Sequence, residues 1–309
     1  MQPTPPLPPD DDPIGLCLAG VISPEVALCR LLLGHFTGND IAALLERRRP
    51  EPPTPRWQAL AALAGARRSE LERLSAEVAR EGSDHARPAT DPLAGAAEIA
   101  SFFDRAVAHS PEASVALYSL GDPAILAAAT AEILDWLDAR GLLREGADVL
   151  DLGCGIGRLA AALAPRVRSV LGLDVSEGML AQARTRCAPW PHVRLAHTAG
   201  QDLDGLAAGS LDLVLAIDSF PYVVRLGPAV VARHVAGAVR ALRPGGALVV
   251  LNLSYRGDAV ADASEARGWA AAHGLALEVA GEQPFALWDG RAYALRRPGR
   301  VESCLSAPG

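Results

Sequence analysis

The apolar positions change their period part-way along the chain. From Val149 onward they fall in short runs, at Val149–Leu152, Ser169–Leu173, Val193–Ala196, Leu211–Ile217, Ala247–Leu251, Leu275–Ala280 and Arg291–Leu295. Runs of this length bounded by Gly, Pro and Asp read as strands. Between them, Arg158–Leu163, Glu177–Cys187, Pro228–Leu242 and Ala259–His273 read as helices. The alternation predicts an α/β domain on a seven-stranded sheet.

Upstream the pattern is helical. Ser23 and Pro24 open a helix carrying Val26, Leu28, Leu31 and Leu32 as far as Gly34, with Ser as N-cap and Pro at the first helical position. Asn39 is expected to cap a second helix, which ends at Arg47-Arg48-Arg49. After a Pro50–Pro55 linker, a single long helix from Trp57 to Glu81 presents Leu60, Leu63, Leu71, Leu74 and Val78 as one stripe. Residues 82–92 are polar and Pro-containing, and mark a boundary. Ala96–Ala108 is amphipathic, with Phe102 and Phe103 adjacent, and Asp122-Pro123 opens a helix that Gly141 closes. The Pro- and Asp-rich start is too polar to order itself. The expected organisation is a disordered tail at 1–13, a helical extension at 14–92, helices at 93–143 that serve as a lid or as plain sheet cover, a core at 144–299 and a tail at 300–309.

Composition narrows the setting. Half of the residues are hydrophobic, yet no apolar run approaches the roughly 18 to 20 residues of a membrane span, which predicts a soluble protein without a membrane partner. The start has no basic segment followed by an apolar one, so a secretory signal is not expected. Five cysteines without a C-x-x-C pair argue against a disulfide framework and a zinc site, and a cytoplasmic location follows. All 29 basic residues are arginine, a bias of GC-rich bacterial genomes that also removes Schiff-base chemistry on lysine. A net charge of −7 without a basic stripe argues against nucleic acid as partner.

The candidate chemistry centres on Val149-Leu150-Asp151-Leu152-Gly153-Cys154-Gly155-Ile156-Gly157. Alternate glycines let a backbone turn sharply and bring a ligand directly against it. The helix opening at Arg158 turns its first N–H groups back toward that loop. The spacing is G-x-G-x-G with Asp151 two residues ahead, which is not the dinucleotide G-x-G-x-x-G, and a Walker lysine is lacking. The next strand ends at Asp174, 17 residues after Gly157, where an acid can accept both hydroxyls of a ribose.

Together these residues resemble the cofactor motifs of class I S-adenosylmethionine (SAM) methyltransferases, and Arg243-Pro244-Gly245-Gly246 before the fifth strand is a further family feature. The resemblance covers about residues 94 to 299. It implies a Rossmann-like, doubly wound sheet in the order 3-2-1-4-5-7-6 with the seventh strand antiparallel, behind an α-helical N-terminal extension. It also implies SAM as cofactor and S-adenosylhomocysteine as product. Asp151, Gly153, Cys154, Gly155, Gly157, Arg158, Asp174 and Val175 would line the cofactor, and Gln201 or Asp202 would meet the adenine.

The acceptor is expected over the ends of the fourth and fifth strands, among Asp218, Tyr222, Tyr255 and Arg256, with Asp218 also close to the cofactor and Arg256 suited to a carboxylate or phosphate. Ser219-Phe220-Pro221-Tyr222 partly matches the [DNS]-P-P-[YF] tetrapeptide of amino methyltransferases, with Phe220 in place of the first proline. His197 and His234 are possible bases, although His234 falls mid-helix. Tyr118, between two helices, is expected to close over the methionine end of the cofactor. No metal-ligand cluster is visible. The resulting expectation is methyl transfer to a small-molecule acceptor, with a homodimer through the N-terminal helices as a possible partner. An aminopropyltransferase and a non-catalytic SAM-binding protein are the alternatives.

Overall fold

The computed structural model describes residues 12–81 and 88–299. The expected tails at 1–13 and 300–309 lie outside these residues, except for Asp12 and Pro13. The chain divides into two compact units. Among the described residues, a helical unit holds 12–81, 105–133 and 285–289, and a sheet unit holds 88–104, 134–284 and 290–299.

In the helical unit the chain opens with α1 (Pro13–Ala19), α2 (Pro24–Leu33), α3 (Gly38–Arg47), α4 (Pro55–Ala66) and α5 (Arg68–Glu81). The composition of the start concealed α1. Its stop signal is present nonetheless: Gly20 is left-handed at φ 79°, Val21 N–H reaches Leu16 O and Gly20 N–H reaches Cys17 O. That paired closure is how a C-terminal glycine ends a helix. Ser23 caps α2 as expected, its hydroxyl accepting Val26 N–H. For α3 the cap is Thr37 instead of Asn39, because Asp40 reaches back to Thr37 N–H while Thr37 Oγ1 accepts Asp40 N–H, which satisfies two helix-end donors at once. The single helix expected over 57–81 is two, broken at Arg67, whose guanidinium pairs with Asp122. Ile14, Leu28, Leu31, Ile41, Leu60, Leu71, Leu74 and Leu120 form this unit's core.

The segment 285–289 belongs to the helical unit although it connects two strands of the sheet. Glu132 accepts Ala286 N–H and Leu287 N–H at 3.0 and 3.1 Å, and Arg30 pairs with Asp289 at 2.7 Å. Trp288 stacks between Tyr118 and Phe285, with centroids 6.0 and 5.7 Å away.

The sheet unit carries β1 (Asp148–Leu152), β2 (Ser169–Asp174), β3 (Val193–His197), β4 (Leu211–Ile217), β5 (Leu242–Leu251), β6 (Ala276–Glu282) and β7 (Ala292–Arg296), in the order β3-β2-β1-β4-β5-β7-β6. β1 to β5 pair in parallel, and β7 runs antiparallel to both β5 and β6. The helices are α9 (Arg158–Leu163), α10 (Glu177–Cys187), α11 (Phe220–Arg225), α12 (Pro228–Ala241) and α13 (Ala259–His273). The remaining three, α6 (Pro92–His109), α7 (Pro111–Val115) and α8 (Pro123–Ala139), precede the sheet, and the division between units falls within α6 and α8. Both faces of the sheet are covered by helices, so the central strands are apolar almost without alternation.

Arg243-Pro244-Gly245-Gly246, expected to precede the fifth strand, is the bulged first half of β5. Gly245 is left-handed at φ 83° and still donates its N–H to Arg297 O, while Arg297 N–H returns to Gly246 O and Arg243 is held by Asp148 and Asp212. A glycine in that conformation adds a residue to the strand without ending its pairing. Among the described residues no helix is long and apolar enough to cross a membrane.

Candidate active site

β1 delivers Asp151 into the interior and stops at Gly153 (φ 72°), followed by Gly155 (φ 52°) and Gly157 (φ 72°). Glycine at 153 is required twice over, by its left-handed backbone and because a Cβ there would lie 2.3 Å from Ser219 Cβ. At Gly157 it would lie 3.0 Å from Ala183 of α10. The first two loop N–H groups, of Gly153 and Cys154, both bond Leu173 O at 2.7 and 3.0 Å, which clamps the loop to the end of β2.

Asp174 completes that clamp. One of its oxygens accepts Gly155 N–H at 2.8 Å and the other Ser176 N–H at 2.9 Å. Burial raises its pKa, and the N–H bonds of Ser176, Gly155 and Val175 work in the opposite direction. Each carboxylate oxygen can accept more than one donor, so two loop bonds do not exhaust Asp174. Asp104, at the sheet-unit end of α6, fixes the same corner by accepting Ser176 Oγ–H at 2.6 Å and Gly178 N–H at 2.8 Å.

Asp151 is 1% exposed. Burial pushes its pKa up to about 7, with the Asp174 carboxylate adding to the effect, while Arg158 and the Ala160 N–H pull it down. Its second oxygen is buried with no hydrogen-bond partner among the described residues. An unpartnered carboxylate oxygen is costly unless a donor from outside the chain completes it. The ammonium of a methionine moiety is such a donor, so the residues present fit SAM at this loop.

The turn after β3 comes up beside this corner. Gly200 is left-handed at φ 69°, and a Cβ there would lie 2.9 Å from Val175 Cγ1. Gln201 donates to Pro92 O at 3.1 Å, and Asp202 caps the next turn through Asp204 N–H. His197 bonds Val175 O through Nε2 on the exposed side of β3, and the buried His234 bonds Val230 O within α12, which gives it a structural place.

At the ends of β4 and β5, Asp218 and Asn252 both adopt left-handed backbone, at φ 56° and 67°. Asp and Asn tolerate this region better than other non-glycine residues, and such backbone gathers at functional sites. The two side chains meet: Asn252 Nδ2 donates to Asp218 Oδ1 at 2.8 Å, and Tyr255 Oη donates to the same oxygen at 3.0 Å. The Tyr222 and Tyr255 hydroxyls are hydrogen-bonded, and their rings cross at 83° with centroids 5.7 Å apart. Phe103 crosses Tyr222 at 5.0 Å. Burial raises both tyrosine pKa values, and the Asp218 charge raises them further.

Ser219 donates to Leu152 O at 2.5 Å, and its carbonyl accepts Tyr222 N–H. Arg256 is engaged by Asp262 and Glu265 of α13. Tyr118 lies in the helical unit, stacked on Trp288.

The structure thus brings Asp151, Gly153, Cys154, Gly155, Gly157, Arg158, Asp174 and Val175 into one corner, and Asp218, Tyr222 and Tyr255 into a second cluster whose Ser219 touches Gly153. Sequence reasoning missed Asn252, Phe103 and Asp104. Asn252 was detectable as an αL-tolerant residue in the first position after an apolar strand, the place Asp218 takes on β4.

A sheet in this order, with a glycine loop after its first strand and a buried acid closing its second, defines a Rossmann-like cofactor-binding domain. Residues 149–246 match the family model of a methyltransferase domain. Nocamycin O-methyltransferase of Saccharothrix syringae is 33% identical over 189 residues, covering 55% of this chain and 63% of that protein. Ubiquinone biosynthesis O-methyltransferase of Aromatoleum aromaticum is 33% identical over 114 residues, covering 37% and 46%. A solved phosphoethanolamine N-methyltransferase of Haemonchus contortus aligns with a TM-score of 0.49 at 17% identity, over 67% of this chain and 50% of that one. The chain spans less than two thirds of the length of each of these proteins. Its residues 149–246 are similar to the methyltransferase domain of the class I SAM-dependent methyltransferases.

Proposed function

We propose that the protein transfers the methyl group of SAM to a small-molecule acceptor. The observation that carries this reading is the pair of buried carboxylates at the glycine loop, one with an oxygen that lacks a partner among the described residues. Bound there, SAM supplies an electrophilic methyl group on a sulfonium, displaced in line by the acceptor. The chain's work is holding and alignment. Asp151 holds the methionine ammonium, Asp174 the ribose hydroxyls, and Gln201 or Asp202 the adenine. Gly153, Gly155 and Gly157 allow close approach, with Cys154, Arg158 and Val175 as walls.

The acceptor meets Asp218, Tyr222 and Tyr255. Arg256 anchors the segment after β5 to α13, since its charge is already matched by Asp262 and Glu265. Two of the relatives are named O-methyltransferases, which favours oxygen as the methylated atom. Titration calorimetry with SAM and S-adenosylhomocysteine, followed by release of S-adenosylhomocysteine in the presence of candidate acceptors, tests the reading. Failure to bind either cofactor form overturns it.

A further inference from the structure

We propose that Tyr222, Tyr255 and Asp218 form a relay that removes the proton of an acceptor hydroxyl as it is methylated, so that the acceptor is an uncharged hydroxylated ring compound and the product its methyl ether. The proposal rests on the methyltransferase reading and deepens it.

The geometry supplies the path. Tyr255 Oη donates to Asp218 Oδ1 at 3.0 Å, and its hydroxyl is hydrogen-bonded to that of Tyr222. Asn252 donates to the same carboxylate oxygen at 2.8 Å, which fixes its direction. A tyrosine hydroxyl both accepts and donates, so it passes a proton on without itself becoming charged. Burial favours that mode, because it keeps both tyrosines protonated. The crossed rings of Phe103, Tyr222 and Tyr255, 5.0 and 5.7 Å apart, offer flat apolar surface beside the relay.

The step balances. A lone pair of the acceptor oxygen forms the bond to the methyl carbon, and the carbon–sulfur bond breaks with its electrons remaining on sulfur. The acceptor proton moves to Tyr222 oxygen, the Tyr222 proton to Tyr255, and the Tyr255 proton to Asp218. The sulfonium charge and the carboxylate charge disappear together, which a partly buried site favours.

The same chain suits oxygen better than nitrogen. An ammonium near pKa 10 must lose its proton before it can attack, and a carboxylate near 4 is about a millionfold too weak to take it. A hydroxyl keeps its proton until the new bond forms, when the oxygen turns strongly acidic and a carboxylate suffices.

The test uses the full chain, with phenol, catechol and hydroquinone against benzylamine, phenethylamine and benzoate. Expected are S-adenosylhomocysteine release with at least one hydroxy compound, none above the acceptor-free rate with the others, and slower turnover in heavy water. Tyr222→Phe and Tyr255→Phe should lower kcat by about a hundredfold or more, leave the Kd for SAM within about twofold, and abolish the heavy-water effect. Asp218→Asn should lower kcat by a similar factor, because the last proton acceptor of the relay is removed. Methylation of the amines alone, no methylation of any hydroxy compound by protein that binds SAM, or phenylalanine variants with undiminished kcat would each overturn the relay. The wild-type acceptor preference and heavy-water effect decide the matter where a variant does not fold. Absence of SAM binding instead overturns the methyltransferase reading itself.

Discussion

Asp151→Asn separates the two roles that burial imposes on this carboxyl. The group has a folded pKa of about 7 against an unfolded value near 3.9. The native state therefore binds the proton more tightly, and this group's contribution to stability is present below about pH 4 and lost as pH rises through about 7. A difference of about three units corresponds to about 4 kcal/mol at most. Asparagine keeps an oxygen for the Ala160 N–H and has no charge to bury. In the absence of cofactor, the variant should thus be more stable than wild type at pH 8 by up to about 4 kcal/mol, with the difference vanishing by about pH 4.

Cofactor binding should move the other way. A cation is held by the ionised form, so wild-type affinity for SAM should weaken about tenfold between pH 8 and pH 6, with proton release on binding near pH 7. The variant should bind about 10- to 150-fold more weakly at pH 8, the loss of a hydrogen bond to a charged group of about 1.5 to 3 kcal/mol, and should show little of this pH dependence. Denaturant unfolding of both proteins from pH 4 to 8, and calorimetry in buffers of different ionisation enthalpy, measure the two effects. Taking the difference between the proteins removes only the part of the Asp174 contribution that is independent of the Asp151 charge, since the two carboxyls interact. Parallel stability curves together with a pH-independent SAM affinity in wild type would refute the argument.

Asp174→Ala should weaken SAM binding by about 1 to 3 kcal/mol and also lower the melting temperature, because it frees the Gly155 and Ser176 N–H groups as well as the ribose site; unchanged calorimetric affinity would remove the ribose role. Gly153→Ala should destabilise by more than Gly245→Ala, although both are left-handed, since only the first new Cβ meets a neighbour, Ser219 at 2.3 Å. Equal shifts in denaturant midpoint would contradict the steric account. Phe220→Ala should cost about 3 to 5 kcal/mol in unfolding experiments, because the ring is 1% exposed and packs on Trp269 at 5.2 Å.

The cofactor corner was legible because its constraints are local. A loop that must turn left-handed three times writes glycine at 153, 155 and 157, and a ligand-facing acid at a strand tip writes aspartate at 174. The strand order followed from resemblance once those residues were placed. Helix α1 was hidden for a compositional reason, since a window rich in Pro and Asp outweighs the Pro13 start and Gly20 stop within it. The cap at Thr37 was missed because three consecutive residues, Asn39, Asp40 and Thr37's neighbour Gly38, all suit a helix start, and only the reciprocal Thr37–Asp40 bonds decide between them.

The acceptor cluster was partly legible, and what escaped depends on partners distant in sequence. Asp218, Tyr222 and Tyr255 were found from their positions after strands, but the Asp218 oxygen that Tyr255 meets is shared with Asn252, and the third ring comes from Phe103 on α6. Arg256 illustrates the converse. An arginine at a strand end invites a substrate anion, yet Asp262 and Glu265, one turn apart on the following helix, already meet its charge. With that cation matched and Asp218 oriented by two neutral donors, the cluster is suited to giving up and taking protons rather than to gripping an anion, and this favours a hydroxylated acceptor over a carboxylate or phosphate.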